Sequence, residues 1–246
     1  MAAKKLDDTL KPFNFKQFGI YQDKCAMKVG TDGVLLGAWA DVENAEMVLD
    51  IGTGTGVIAI MLAQRNENAI VHGVDVDEMS HEQATENMQN SPFAERLSSY
   101  LIDIQSYAKV TDRKYDLIVS NPPFFTGGTL SANQDKTNVR HTVKLPHGDL
   151  LLAVKNLLND KGKFCVVLPL IEGLRFKELA ERTQLFCTKI TEIQPKIGKG
   201  VERLLLQFEL HSNGFTRDML VIQDGEGRHD FTDDYTNLVR DFYTIL

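Results

Sequence analysis

Val48-Leu49-Asp50-Ile51-Gly52-Thr53-Gly54-Thr55-Gly56 reads as a short apolar strand that runs into a glycine turn. Glycine tolerates positive φ and lets the backbone come close to a ligand, which is what the carboxyl end of a first strand in an open α/β sheet requires. Val57 stands three residues after Gly54, where a dinucleotide fingerprint places its third glycine. The spacing here is Gly-x-Gly-x-Gly instead, which points to a nucleoside-type ligand other than a nicotinamide dinucleotide. A tight turn with no ligand is the plain alternative.

Outward from this stretch, strands and helices alternate. The pattern predicts strands over Met47–Ile51, Ala69–Val74, Ser99–Ile102, Tyr115–Ser120 and Lys163–Leu168, with helices over Thr55–Arg65, Met79–Asn90, Pro146–Leu158 and Glu172–Gln184 between or after them. Repeated βα units imply a doubly wound parallel sheet. Two more strands, Leu185–Ile193 and Arg203–Leu210, are joined by a connection too short for a crossover helix and must pair antiparallel. The expectation is a mostly parallel seven-stranded sheet with an antiparallel last strand. Phe231–Tyr243 should form a helix on the outside. Upstream, Phe13 and Phe15, then Cys25, Met27 and Val29, alternate around Gln22-Asp23-Lys24, which predicts an N-terminal β-hairpin. After Gly30, Thr31 or Asp32 can cap a short apolar helix through Ala40. The expected division is residues 1–40 as an extension and 41–246 as the main domain.

Two carboxylates follow the glycine turn at successive strand ends. Asp75, in Gly73-Val74-Asp75, stands where a side chain can accept both hydrogen bonds of a ribose diol. Asp103 ends the third strand, near where an adenine amino group would lie. Either could instead be a solvated strand-end residue.

The fourth strand ends in Ser120-Asn121-Pro122-Pro123-Phe124-Phe125. An exocyclic amine on a purine is a poor nucleophile because its lone pair is delocalised into the ring. Two acceptors aimed at its hydrogens favour pyramidalisation as positive charge develops. Asn121 offers a side-chain carbonyl and Pro122 a backbone one; the prolines fix φ and donate no hydrogen bond. Phe124 offers a face on which an unstacked base can lie. The bland reading is a rigid turn after a strand.

Bulk composition bounds these readings. The 246 residues are 43% hydrophobic and 25% charged, an ordinary globular profile. Met1–Leu10 holds no apolar signal core, and the longest apolar runs are too short to span a bilayer. Cys25, Cys165 and Cys187 lack metal spacing, and reduced thiols in the cytoplasm are expected. No metal, no membrane and a monomer are the corresponding expectations. Net charge is −7, yet residues 1–30 carry six lysines against three aspartates. With Lys136, Arg140 and Lys144, the lysines of that arm are candidates for nucleic-acid contact; a merely solvated arm is the alternative.

The segment Phe15-Lys16-Gln17-Phe18, the stretch from Asp23 through Cys25-Ala26-Met27-Lys28-Val29-Gly30-Thr31-Asp32-Gly33-Val34-Leu35-Leu36-Gly37-Ala38-Trp39-Ala40, the glycine turn, Asn121-Pro122-Pro123-Phe124, Phe164–Pro169 and Asp241-Phe242-Tyr243 together resemble bacterial valine-tRNA (adenine-37-N6)-methyltransferases. The resemblance implies a Rossmann-like methyltransferase fold, S-adenosylmethionine as cofactor and tRNA as partner. It further implies Asn121 and Pro122 as amine acceptors and Phe124 as stacking platform. Asp50, Gly52, Gly54, Asp75 and Asp103 would surround the cofactor, with the Lys28–Asp32 stretch, including Lys28 and Thr31, over its methionine end and Asn121 beside it. Relatives commonly carry Tyr where Phe124 stands, which puts only a hydroxyl role in doubt. Guanine-N2 methyltransferases of ribosomal RNA and glutamine-N5 protein methyltransferases share the Asn-Pro-Pro-aromatic signature and remain the alternatives.

Overall fold

A computed structural model describes residues 11–123, 145–212, 214–227 and 229–244. Phe124, Phe125, Lys4, Lys5, Lys136, Arg140 and Lys144 lie outside the described residues.

An eight-stranded sheet carries the fold. Its strands are β3 (Met47–Ile51), β4 (Ile70–Asp75), β5 (Leu97–Leu101), β6 (Tyr115–Ser120), β7 (Leu158–Pro169), β8 (Phe186–Lys196), β9 (Arg203–Glu209) and β10 (Thr216–Gln223). Their order is β10-β8-β9-β7-β6-β3-β4-β5. Only β9 runs against its neighbours β7 and β8. The strands are apolar on both faces because helices cover both. Side-chain alternation then sorts residues by face: Val48, Cys165 and Val167 pack into one core, while Leu49, Phe164 and Val166 pack into the other. Helices α1 (Thr31–Trp39), α2 (Val57–Arg65), α3 (Glu78–Gln89) and α7 (Asp233–Val239) cover the first face. Helices α4 (Ile104–Val110), α5 (His147–Leu157) and α6 (Leu170–Arg182) cover the second. From β3 the chain moves outward to β4 and β5, then returns to β6 on the other side of β3. That reversal opens a crevice at the carboxyl ends of β3 and β6, the place where doubly wound sheets bind ligands.

The expected mostly parallel sheet is present, but it has eight strands, and its last strand in sequence, β10, is parallel to β8. Thr216–Gln223 is an edge strand with Leu220 alone buried, so it lacks the apolar alternation that reveals interior strands. Helix α4 also went unforeseen, although Asp103 caps it by accepting the Ser106 N–H at 2.7 Å.

The N-terminal hairpin forms from different residues than expected. β1 (Phe13–Asn14) pairs with β2 (Gly19–Ile20), closed by the Phe15 N–H on the Phe18 carbonyl at 2.8 Å. Stacking of Phe15 on Phe18 and on Tyr243, with ring centroids 4.7 and 5.9 Å apart, pins that turn to the C-terminus. The segment after it is not a strand, because its backbone bonds to α3 side chains. Asn87 takes the Tyr21 N–H at 2.9 Å and donates to the Tyr21 carbonyl at 2.8 Å, and Gln83 takes the Lys24 N–H at 3.0 Å. Gly30, rather than Thr31 or Asp32, is the N-cap of α1. Asp32 is turned instead toward a distant arginine.

Candidate active site

The turn after β3 needs its glycines. Gly52, Gly54 and Gly56 have φ of 70°, 54° and 81°, a region that other residues seldom occupy. A Cβ added to Gly52 would meet nothing within 4 Å, so the bare backbone faces open space at the crevice. Beneath the turn, Asp50 is fully buried and its Oδ2 accepts the Thr53 hydroxyl at 2.7 Å. Gly73 on β4 makes room for Thr53: a Cβ there would sit 2.8 Å from its hydroxyl oxygen. Asp75, at the end of β4, holds the turn from the side. Its Oδ2 accepts the Gly54 N–H at 2.9 Å and its Oδ1 the Asp77 N–H at 3.0 Å. An ionised carboxylate has about four lone-pair sites, so each oxygen retains capacity for a diol hydroxyl.

Burial pushes the Asp50 carboxyl up to about 7; the charge of Asp75 adds to this, and the Thr53 hydrogen bond works against it. A carboxyl whose folded pKa is raised favours the fold most when protonated. That contribution is complete below the unfolded value of about 3.9 and is lost as pH rises through about 7. Thermal melts of the ligand-free protein should therefore show stability declining across this window, and Asp50→Asn should flatten the decline. Equal slopes in both proteins would contradict the assignment.

Asp103, at the end of β5, has its carboxyl held below the usual range, chiefly by the Ser106 N–H. It stands one strand beyond Asp75, and its Oδ1 serves as the helix cap.

Across the crevice, β6 delivers Asn121. The Ser120 hydroxyl donates to the Ile51 carbonyl at 2.9 Å, locking the end of β6 to the end of β3. Among the described residues, Asn121 Oδ1 is a buried oxygen with no hydrogen-bond partner. Leaving such an acceptor unmade costs about 1–3 kcal/mol. Asp50 Oδ1 and Gln64 Oε1 are also unpartnered, and it is the place of Asn121 at a cleft that suits it to a ligand donor. Asn121 lines a cleft of about 390 Å³ together with Lys28, Thr31, Leu35, Ile193 and Arg203. Gln22 supports this wall by accepting the Val29 N–H at 2.9 Å. Pro122 follows and is buried. Asp50, Gly52, Gly54 and Asp75 thus gather at the ends of β3 and β4, while Lys28 and Thr31 line the cleft with Asn121. Ile193, Pro195, Glu202 and Arg203, contributed by β8, β9 and their connection, carry no motif and were not expected there.

The methyltransferase small domain family matches residues 27–174. The tRNA1(Val) (adenine(37)-N6)-methyltransferase of Haemophilus influenzae is 43% identical over 94% of this chain and 97% of its own length. The enzyme of the same name from Trichodesmium erythraeum is 42% identical, with the same coverage of both chains.

The chain belongs to the tRNA1(Val) (adenine(37)-N6)-methyltransferase family.

Solved structures agree at the level of fold. A protein from Agrobacterium tumefaciens described as a predicted O-methyltransferase superposes with a TM-score of 0.68 at 19% identity, covering 86% of this chain and 96% of its own. Among the described residues no cluster of three or more His, Cys, Asp or Glu could hold a metal ion, and no helix is long and apolar enough to cross a membrane. S-adenosylmethionine fits the residues present: a bare glycine turn and a carboxylate anchored beside it.

Proposed function

We propose that this chain methylates N6 of adenine 37, beside the anticodon of a valine tRNA. The observation that carries the proposal is the buried, unpartnered Asn121 Oδ1 at the end of β6, on a cleft of about 390 Å³. The names of the relatives supply the target.

Gly52, Gly54 and Asp75 would hold the cofactor's nucleoside, with Asp50 beneath the turn and Asp103 at the adenine end. Lys28 and Thr31 would cover its methionine end. S-adenosylmethionine, when bound, supplies a methyl group on a sulfonium. The chain's own residues then act on the amine. Asn121 Oδ1 and the Pro122 carbonyl accept its two hydrogens, which draws the lone pair out of the ring and stabilises charge developing on nitrogen. Holding the amine in line supplies much of the remaining acceleration. No strong base is needed, because the methylated amine loses its proton readily to water. Phe124 is proposed as the surface on which the base stacks. An anticodon loop suits this chemistry, since its bases are unpaired and cost little to unstack.

Incubation with bulk tRNA and labelled cofactor, followed by nucleoside analysis, tests the proposal. Label is expected in N6-methyladenosine. Label found instead in N2-methylguanosine of ribosomal RNA, or in methylglutamine of a protein, would replace it.

A further inference from the structure

One wall of the cleft is left unused by the amine chemistry. Arg203 begins β9 and lines the cleft that Asn121 also lines. Its Nε donates to Asp32 Oδ2 at 3.0 Å and its Nη1 to the Glu202 carbonyl at 3.1 Å. The two charged side chains are 32% and 22% exposed, so the pair is partly withdrawn from water without being sealed. It contributes little to holding α1 in place. That helix already buries Val34, Leu35 and Leu36 almost completely, and ion pairs near a surface typically give 0–1 kcal/mol.

Position suggests another use. In the sheet, β9 lies two strands from β6, with β7 between them. Ser120 is level with Val166 on β7 and Arg203 with Pro169. At about 4.8 Å per strand and about 3.3 Å per residue, the backbones of Asn121 and Arg203 stand roughly 12 Å apart. Both residues line the same cleft, so an adenosine whose amino group meets Asn121 can turn a flanking phosphate toward Arg203. A guanidinium is the side chain best shaped to grip a phosphate, and here it stands in a chain whose net charge is −7. Asp32, bound at Nε, fixes the plane of the guanidinium.

We propose that Arg203 is the phosphate clamp of the substrate cleft. It binds a phosphodiester flanking the adenosine whose amino group reaches Asn121, with Asp32 as the residue that orients it. The proposal rests on the RNA reading above, and it adds a substrate-positioning residue that no sequence motif marks.

The test compares Arg203→Met, Arg203→Lys and Asp32→Asn with the wild-type protein. Each is assayed for tRNA methylation kinetics, for tRNA affinity against salt, and for cofactor affinity by calorimetry. Arg203→Met is expected to raise the KM for tRNA about ten- to a hundredfold, the effect of losing a charged hydrogen bond, with little change in kcat. Its plot of log affinity against log salt should be shallower by about 0.7–0.9, one phosphate contact. Arg203→Lys should keep the wild-type slope while losing part of the affinity. Asp32→Asn keeps an acceptor oxygen that still orients Nε and loses a negative charge near the phosphate, so it should keep the slope and bind tRNA no more weakly than wild type. If Arg203→Met keeps the wild-type slope, or if it and Asp32→Asn are impaired alike, the pair is only structural and the clamp is refuted. Weakened cofactor binding in Arg203→Met would assign the residue to the cofactor instead, and would equally refute it. Wild-type protein that neither binds nor methylates tRNA would overturn the functional reading and the clamp together. Methylation by wild type with an unaltered Arg203→Met overturns the clamp alone.

Discussion

Asn121→Ala is expected to lower the single-turnover rate of methyl transfer by roughly a hundred- to a thousandfold, the scale for removing one preorganised group aimed at developing charge. Cofactor affinity should change far less, because the lost oxygen acts on the acceptor amine. The structure explains why this residue should matter so much. Its Oδ1 is buried without a partner, as are Asp50 Oδ1 and Gln64 Oε1, but of these three Asn121 is the residue that lines the cleft. Its position is set by the Ser120 hydroxyl on the Ile51 carbonyl and by contact with α1, where a Cβ on Gly33 would lie 3.8 Å from Asn121 Nδ2. Rates near wild type in a folded Asn121→Ala protein would move the acceptor role elsewhere. Removal of the side chain also removes an unsatisfied group, so thermal stability without ligand should hold or rise. A change of that sign alongside a collapsed rate would separate chemistry from folding.

Asp75→Ala should weaken cofactor binding at least ten- to a hundredfold, the equivalent of about 1.5–3 kcal/mol for a lost charge-assisted hydrogen bond. The lower bound comes from the ribose contact alone. The same carboxylate also anchors the glycine turn through Gly54 and the start of α3 through Asp77, so its loss frees the turn as well. Asp75→Asn retains an acceptor oxygen and should fall between wild type and alanine. Titration calorimetry reads both, and unchanged affinity in a folded Asp75→Ala protein would remove the residue from the site.

Much of this architecture was legible before any coordinates. Met47–Ile51 and Tyr115–Ser120 were bounded correctly to the residue, because interior parallel strands are continuous apolar runs between turn signals. The placement of the glycine turn and of Asn121 at strand ends was readable for a related reason, since a strand that runs into Gly or Pro must end there. What escaped notice depends on partners distant in sequence. The hairpin register was misplaced because Asn87 and Gln83 satisfy residues 21–24 from another element. β10 escaped because an edge strand needs no apolar face. Arg203 escaped because only the folded sheet brings the head of β9 to the cleft, facing Asp32 across 171 positions of chain. Asp103 shows how a single residue supports two readings: its strand-end position suggested a ligand contact, and its spacing to Ser106 is also that of a helix cap.

The most direct measurement is mass spectrometry of valine tRNA from cells lacking this protein, complemented in turn with the wild-type chain and with Asn121→Ala. The predicted result is unmodified adenosine at position 37 in the deletion, N6-methyladenosine restored by wild type, and no restoration by the alanine variant. N6-methyladenosine persisting at that position in the deletion strain would contradict the account.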